Sequence, residues 1–278
     1  MQYIVILEWT YTPTEFFEEA IHIGHEDYQM KIEGGKVEAR IRPDIYDKIP
    51  MMRDALHEAL NFRFLSRQFL THKLYSLSKS SESRLYPDGR KNVRIFAESI
   101  MMTCAVGSAD ILLKDTNGNV IIDSRQDRVH REKELGTLVE KHRSKDKLIA
   151  LLLKSYSDAV NDPKNELVHL YQIQEALTTR FGKKKAPTKL GIDPTQWDGF
   201  KALADDKPLR QGRHRGRNAD KLRDVTEAEL EQARTFVRKL IEAYLRYIDR
   251  EACPKNGSVP VSHDTTREVH SSPPWTNH

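Results

Sequence analysis

A basic segment between residues 207 and 223 contains the side chains best suited to chemistry. Seven of its seventeen residues are Lys or Arg and one, Asp220, is acidic, which gives the segment a net charge of +6. Five of the seven are Arg, whose planar guanidinium matches the geometry of a phosphate group. Because concentrated positive charge attracts polyanions, the segment predicts nucleic-acid binding. The predicted contacts are Lys207, Arg210, Arg213, Arg215, Arg217 and Arg223.

The composition of this segment also indicates how a nucleic acid would be held. Gly and Arg interleave between Gly212 and Arg217 without an aromatic residue, so contact with backbone phosphates is favoured over base stacking. A solvated loop is the simpler alternative, since clusters of Lys and Arg are common on surfaces. The run Lys183–Lys185 adds three positive charges, and its place after a predicted helix fits compensation of the helix dipole.

His214 lies among these arginines and is the candidate for acid–base catalysis. Nearby cations disfavour protonation of an imidazole, so His214 is expected to be mostly neutral near pH 7 and able to accept a proton. With Arg210 stabilising transition-state charge, the two side chains have the parts to cleave a phosphodiester. RNA is the favoured substrate, because its 2′-hydroxyl supplies the nucleophile without a metal. The alternative is that His214 is one more polar residue of the loop.

No metal or cofactor is predicted. His22 and His25 lie close together but lack a third ligand nearby, so a surface turn is favoured over a zinc site. The run Asp115–Asn119 resembles the start of a calcium loop, yet Gly118 is its fourth residue rather than its sixth, and an Asn-Gly hairpin turn explains the sequence. The chain also lacks the Gly-x-x-x-x-Gly-Lys-Ser/Thr pattern of a phosphate-binding loop.

Composition limits the class of protein. The chain has 278 residues, of which 38% are hydrophobic and 31% charged, enough to bury a core. Its longest apolar runs, such as Leu148–Leu153, are too short to cross a bilayer. Met1–Glu8 has no basic region and predicts a strand rather than a signal peptide, and Cys104 and Cys253 are too few for a disulfide framework. Together these features predict a cytoplasmic protein without a membrane partner.

Hydrophobic periodicity predicts an α+β fold. A β-rich N-terminal domain, interrupted by a helix at about residues 50–78, is predicted over residues 1–124. A C-terminal α-helical bundle that carries the basic loop is predicted over residues 125–251. Residues 252–278 lack apolar periodicity and predict a disordered tail.

Local motifs predict several individual elements. Gly34-Gly35 predicts a tight turn between two alternating strands. A further strand is predicted at Ser99–Val106, and a hairpin joins the apolar runs on either side of Asp115–Asn119. Thr226-Glu227-Ala228-Glu229 is a capping box, which predicts the start of the last long helix, and Val225 before it is a candidate hydrophobic staple.

Parts of the helical region resemble known families. One resemblance is to a group of bacterial proteins of uncharacterised function, and it rests on Leu170–Leu177, Phe181-Gly182, Gly191-Ile192, Trp197 and Leu209–Gly216. The second covers about residues 145–250, where a helical region with an Arg/His segment before a long final helix resembles the HEPN superfamily.

The HEPN resemblance implies both a fold and an activity. Members are helical bundles, and many are metal-independent ribonucleases of toxin–antitoxin and antiphage defence systems. Their motif places about four to six residues between an Arg and a His, often with Asn after the Arg. Arg210 and His214 match these residue types but have three residues between them, and Gln211 follows the Arg. Carried over to these positions, the resemblance implies RNA cleavage with Arg210 and His214 as catalytic residues, while their spacing and Gln211 depart from the family motif.

Two other functional classes stay open. The loop would also suit a non-enzymatic module that docks an acidic protein surface or forms a homo-oligomer, with a second apolar face on the final helix. A small-molecule enzyme at the junction of the two domains is the third class, for which the sequence supplies no constellation of catalytic residues.

Overall fold

The computed structural model of the protein describes residues 3–94, 110–114, 119–213 and 220–252. An antiparallel sheet comes first in the chain and a set of helices follows, so the predicted α+β class is confirmed. The helix predicted inside the β-rich part is present at Met52–Thr71. The division of the chain at residues 124 and 125 stays a prediction.

The described residues contain nine strands. They are β1 (Ile4–Thr12), β2 (Ile21–Gly24), β3 (Tyr28–Glu33), β4 (Lys36–Ile41), β5 (Ser76–Leu77), β6 (Ser81–Leu85), β7 (Lys91–Arg94), β8 (Leu112–Lys114) and β9 (Val120–Asp123). The main sheet has the order β2-β3-β4-β1-β6-β7, and β5 pairs with the end of β1. Strands β8 and β9 form a separate antiparallel pair, as expected for the predicted hairpin.

The described residues also contain eight α-helices. They are α1 (Pro43–Tyr46), α2 (Met52–Thr71), α3 (Ser124–His142), α4 (Lys147–Asn161), α5 (Glu166–Phe181), α6 (Ala186–Leu190), α7 (Pro194–Lys201) and α8 (Glu227–Ala252). A 3₁₀ turn at Pro163–Asn165 precedes α5, and a short π-helix at Ala202–Asp206 continues α7.

The β3–β4 hairpin confirms the turn predicted at Gly34-Gly35. Both glycines have positive φ, 55° and 83°, a conformation that glycine adopts without steric penalty. At Gly35 a Cβ would also lie 2.7 Å from Thr14 Cγ2, so the fold requires glycine there. The resulting register places Ile32 opposite Val37, and both side chains are buried in the core between the sheet and α2.

Helix α2 is covered on two sides. One side packs on the sheet, where Leu56, Leu60 and Phe64 share a core with Leu7 and Trp9 of β1. The other side contacts α3 and α4. A helix with two covered sides buries polar residues as well as its apolar stripe.

Helices α3 to α8 pack around a second core, and α8 contacts α3, α4, α5, α6 and α7. The apolar stripe of α8 supplies Val237, Leu240, Ile241 and Tyr244, all of which are buried. This arrangement confirms that the C-terminal part of the chain is helical and makes α8 its central element.

The capping box predicted at the start of α8 is confirmed. Thr226 Oγ1 accepts a hydrogen bond from Glu229 N at 3.2 Å, and Glu229 Oε2 accepts one from Thr226 N at 3.1 Å. Val225 and Leu230, the predicted staple, are both partly buried against the helical core. These contacts satisfy backbone donors that a helix N-terminus otherwise leaves unpaired.

Thr226→Ala should lower the free energy of unfolding by about 1 kcal/mol, because it removes the side-chain acceptor of the cap. The same substitution at Thr235, an exposed residue inside α8, is the matched control and should change stability by only a few tenths of a kcal/mol, since Ala favours helix interiors. Urea unfolding followed by circular dichroism measures both. Equal losses at the two positions would contradict the assigned cap.

Several expectations fall wholly or partly on residues that the structure does not describe. The strand predicted at Ser99–Val106 and the predicted tail beyond Ala252 lie outside the described residues, as do residues 115–118 of the predicted Asn-Gly turn. Across the described ranges, no helix has both the length and the apolar character needed to span a membrane.

Candidate functional site

The basic segment, residues 207–223, is called the basic loop below. It follows the π-helix and leads into the capping box of α8. Four of its predicted contact residues are described, namely Lys207, Arg210, Arg213 and Arg223. The other predicted site residues, His214, Arg215 and Arg217, lie outside the described residues. The described part forms the base of the loop on both sides of residues 214–219.

Backbone contacts close the basic loop at its two ends. Leu209 and Arg223 form a parallel β-bridge. Within it, Arg210 N donates to Arg223 O at 3.0 Å, and Arg223 N donates to Pro208 O at 3.1 Å. Leu209 is buried in the helical core and anchors the bridge there. Because both ends are fixed, the charges near them are held in one region of the surface.

Gln211 and Gly212 hold the base of the loop close to its neighbours. Gln211 Oε1 accepts a hydrogen bond from Val225 N at 3.1 Å, which ties the start of the loop to its exit. At Gly212 a Cβ would lie 3.3 Å from the carbonyl oxygens of Ala204 and Leu209. Since backbone cannot move aside easily, glycine is what permits this close approach to the π-helix.

Arg213 is held against α5. Its backbone N donates to Ala204 O at 3.0 Å. Its Nη1 donates to Glu175 Oε1 at 3.0 Å, and its guanidinium carbon lies 5.2 Å from the centroid of the Tyr171 ring. The hydrogen bond to Glu175 raises the pKa of Arg213 above its ordinary value. The side chain remains 39% exposed, so part of this charge still reaches solvent.

Arg210 has the most exposed side chain of the four, at 63%. Its Nε lies 4.0 Å from Asp224 Oδ1, and Asp224 is itself well exposed. Asp224 also accepts a hydrogen bond from Gln211 Nε2 at 3.3 Å. An ion pair this long and this exposed is weak, so it does not prevent Arg210 from contacting another anion.

Lys207 and Arg223 both bind Glu229, the acid of the capping box. Lys207 Nζ donates to Glu229 Oε1 at 3.0 Å, while Arg223 donates from Nη2 to Oε1 at 2.7 Å and from Nη1 to Oε2 at 2.8 Å. Arg223 first, and then Thr226 and Lys207, hold the pKa of Glu229 well below its usual range. These two cations therefore fix both the first and the last residue of the loop to the start of α8.

Only one residue of the catalytic pair predicted from the sequence, Arg210, belongs to the described residues. Arg210 lies beside Asp224, while His214 falls outside the described residues. Cleavage by Arg210 and His214 therefore stays a prediction.

The structure thus defines a helical bundle with a basic loop fixed at both ends. Comparisons with family models, curated proteins and solved structures found no match to this chain.

The acidic partners of the loop do not follow from the sequence patterns alone. Glu229 belongs to the predicted capping box, so a local signal did place it near the exit of the loop. Tyr171 and Glu175 lie one turn apart on α5 and meet Arg213 only through tertiary packing. That packing brings together residues 38 positions apart, for which no local signal exists.

Proposed function

We propose that the protein binds nucleic acid, with RNA favoured, through the basic loop. The observation that carries the proposal is the closed base of the loop, in which the Leu209–Arg223 bridge fixes the backbone beside Arg210 while the side chains of Arg210 and Arg213 remain exposed. Because the backbone at the base of the loop is already fixed, contact with a phosphate backbone requires little further ordering of it. The sequence continues the same basic pattern at Arg215 and Arg217.

The carboxylates beside the loop divide its cations into two groups. Glu229 is largely shielded from solvent and binds Lys207 and Arg223, so these two residues are assigned to holding the loop. The partners of Arg210 and Arg213 are exposed acids, and exposed pairs contribute about 0 to 1 kcal/mol. A phosphate backbone, which also releases counterions, can replace such partners. The contacts are accordingly assigned to Arg210, Arg213, Arg215 and Arg217.

Backbone contact is the mode that the loop composition favours. No aromatic residue lies between Lys207 and Arg223, and aromatic side chains are what stack on bases in single-strand binding proteins. Binding through phosphates alone has little sequence preference and depends strongly on salt. The preference for RNA rests on the further hypothesis that His214 acts on a phosphodiester whose 2′-hydroxyl is the nucleophile.

The triple variant Arg210→Gln, Arg215→Gln, Arg217→Gln should bind RNA about tenfold more weakly near 0.1 M salt and lower the salt slope by about 2. Arg213 is left unchanged because it also supports the base of the loop. The measurement is fluorescence anisotropy of a labelled, unstructured RNA of about 20 nucleotides, titrated with the full chain at several salt concentrations.

The control removes the same number of charges elsewhere. Lys183→Gln, Lys184→Gln, Lys185→Gln changes three exposed lysines, so a loss confined to the arginine variant would assign binding to the loop rather than to net charge. Equal affinity of the arginine variant and the unaltered protein would contradict the proposal.

A DNA strand of the same sequence tests the preference for RNA. A denaturing gel of the RNA, with His214→Ala beside the unaltered protein, tests cleavage.

A further inference from the structure

A cavity of about 540 Å³ lies between the sheet and the helices. Its walls come from the connection between β1 and β2, from β2 itself, and from α2 and α3. The volume is within the range of sites that bind small molecules. It is separate from the basic loop, none of whose described residues lines it.

One positive charge that lines this cavity makes no hydrogen bond or ion pair with any described residue. It belongs to Arg63 of α2, which is only partly exposed and interacts with Glu140, Tyr28 and Glu132 only at longer range. Burial lowers the pKa of its guanidinium, which indicates that the charge is poorly solvated. Partly buried charges are normally paired, because leaving one without a partner is unfavourable.

The other cations that line the cavity are already neutralised. Arg67 donates to the carboxylates of Glu18 and Glu132, and Lys133 Nζ lies 3.0 Å from Glu19 Oε2. Among the described residues, Arg63 is therefore the lining Lys or Arg that has no acid bound to it.

The two acids whose charges act on Arg63, Glu140 and Glu132, are already paired with other arginines. Glu140 accepts two hydrogen bonds from Arg143, at 3.0 and 3.1 Å. Glu132 is held by Arg67.

The remaining walls are partly apolar, although His22, Ser66 and Thr137 also line the cavity. Phe17 and Val129 line the cavity and are almost fully buried, and Ile21 and Ile23 line it from β2. Gly136 lies inside α3, where glycine weakens a helix relative to alanine. A Cβ at Gly136 would meet no atom within 4 Å, so this glycine leaves space open on the cavity side of the helix.

We propose that this cavity binds a small organic carboxylate, with the acid group on the Arg63 guanidinium and an apolar body against Phe17 and Val129. A carboxylate suits the site because its two oxygens match the fork of a guanidinium. A single negative charge also suits the site, because Arg63 is one cation without an ion-pair partner among the described residues, and Glu18, Glu19 and Glu132 also line the cavity. A dianionic phosphate would meet more repulsion from these acids.

The test uses benzoate as the probe, with benzamide as its neutral counterpart of nearly equal shape. Titration of the full chain by isothermal calorimetry or ligand-detected NMR should show saturable benzoate binding with a Kd of about 1 mM or lower, as expected for a ligand of this size. Benzamide should bind at least about tenfold more weakly, because it cannot form the charge-assisted pair. Absence of saturable benzoate binding, or equal binding of the two probes, would overturn the proposal.

Three variants place the binding in the cavity. Arg63→Met should weaken benzoate binding about tenfold or more, since it keeps the apolar stem and removes the charge. Arg53→Met, on the same helix and outside the cavity, should leave binding unchanged. Gly136→Leu should abolish binding because the new side chain fills the open space. Leu also favours a helix more than Gly does, so a loss of binding would not be caused by unfolding. Benzoate affinity that survives both Arg63→Met and Gly136→Leu would refute the assignment.

Discussion

Arg67→Met is expected to lower the free energy of unfolding by about 3 to 5 kcal/mol, because it leaves partly buried carboxylates without their counter-charge. The Arg67 side chain is 2% exposed. Its Nε donates to Phe16 O at 3.0 Å, its Nη2 donates to Glu18 Oε1 at 2.8 Å, and its Nη1 donates to Glu132 Oε2. One side chain therefore joins the β1–β2 connection, α2 and α3. Chemical unfolding near pH 7 measures the loss.

The control for this prediction is Arg53→Met. Arg53 lies on the same helix in an exposed pair with Asp54, so its replacement should change stability by less than about 0.5 kcal/mol. Adding Glu132→Gln to Arg67→Met should recover part of the loss, since the unpaired carboxylate is then removed. A loss below about 1 kcal/mol for Arg67→Met would show that the three bonds are not the main connection between these elements.

Arg63 and Arg67 lie one turn apart on α2 but differ in what surrounds them. Arg67 is enclosed by acids and a carbonyl, whereas Arg63 has no hydrogen-bonding or ion-pairing partner within the described residues. Removal of Arg63 leaves no described carboxylate without an ion-pair partner. Arg63→Met should therefore leave the fold intact, whereas Arg67→Met weakens it. The same helix thus supplies one arginine for structure and one for a ligand.

The local elements of this fold could be predicted because short-range patterns determine them. The hairpin at Gly34-Gly35 needs a positive φ at two adjacent residues, and the start of α8 needs the reciprocal bonds of Thr226 and Glu229. Both signals lie within a few residues of the element they define. The α+β class follows from the same kind of pattern, since strand and helix periodicities occupy successive parts of the chain.

The burial of Arg67 could not be predicted in this way. In the sequence it is one of several basic residues between the apolar positions of α2, a pattern typical of a solvated face. It becomes buried because α3 covers that face and brings Glu132 to it from 65 positions away. Periodicity identifies one covered side of a helix, and a second covered side depends on packing that the pattern does not contain.

The basic loop shows a similar limit at the site. Its charge and its place between two helical elements follow from the sequence, but the division of its cations does not. Glu229 binds Lys207 and Arg223 and so gives them a structural assignment, and the weak pair with Asp224 leaves Arg210 for a ligand. Net charge alone would count the three cations as equivalent.

Glu166→Ala is expected to lower the free energy of unfolding by about 3 to 5 kcal/mol, because it removes the main partner of a mostly buried arginine. Glu166 is 1% exposed and accepts hydrogen bonds from Arg234 Nε at 2.6 Å and Arg234 Nη2 at 2.9 Å. His72 Nε2, at the end of α2, lies 3.5 Å from the same carboxylate. Glu166 thus links α5 to α8 and to the sheet-bearing part of the chain.

The protonation state of His72 determines which charges pair with Glu166. Burial, together with the charges of Arg234 and Arg238, lowers the pKa of His72 to about 3, so the imidazole is neutral at pH 7 and the ion pair consists of Glu166 and Arg234. Glu231→Ala is the matched control, since Glu231 is an exposed acid that also pairs with Arg234, at 3.7 Å, and its loss should be under about 0.5 kcal/mol. In a double-mutant cycle, Arg234→Met should cost much less when Glu166 is already absent. Additive losses would mean that the two residues stabilise the protein independently and that the pair does not join α5 to α8.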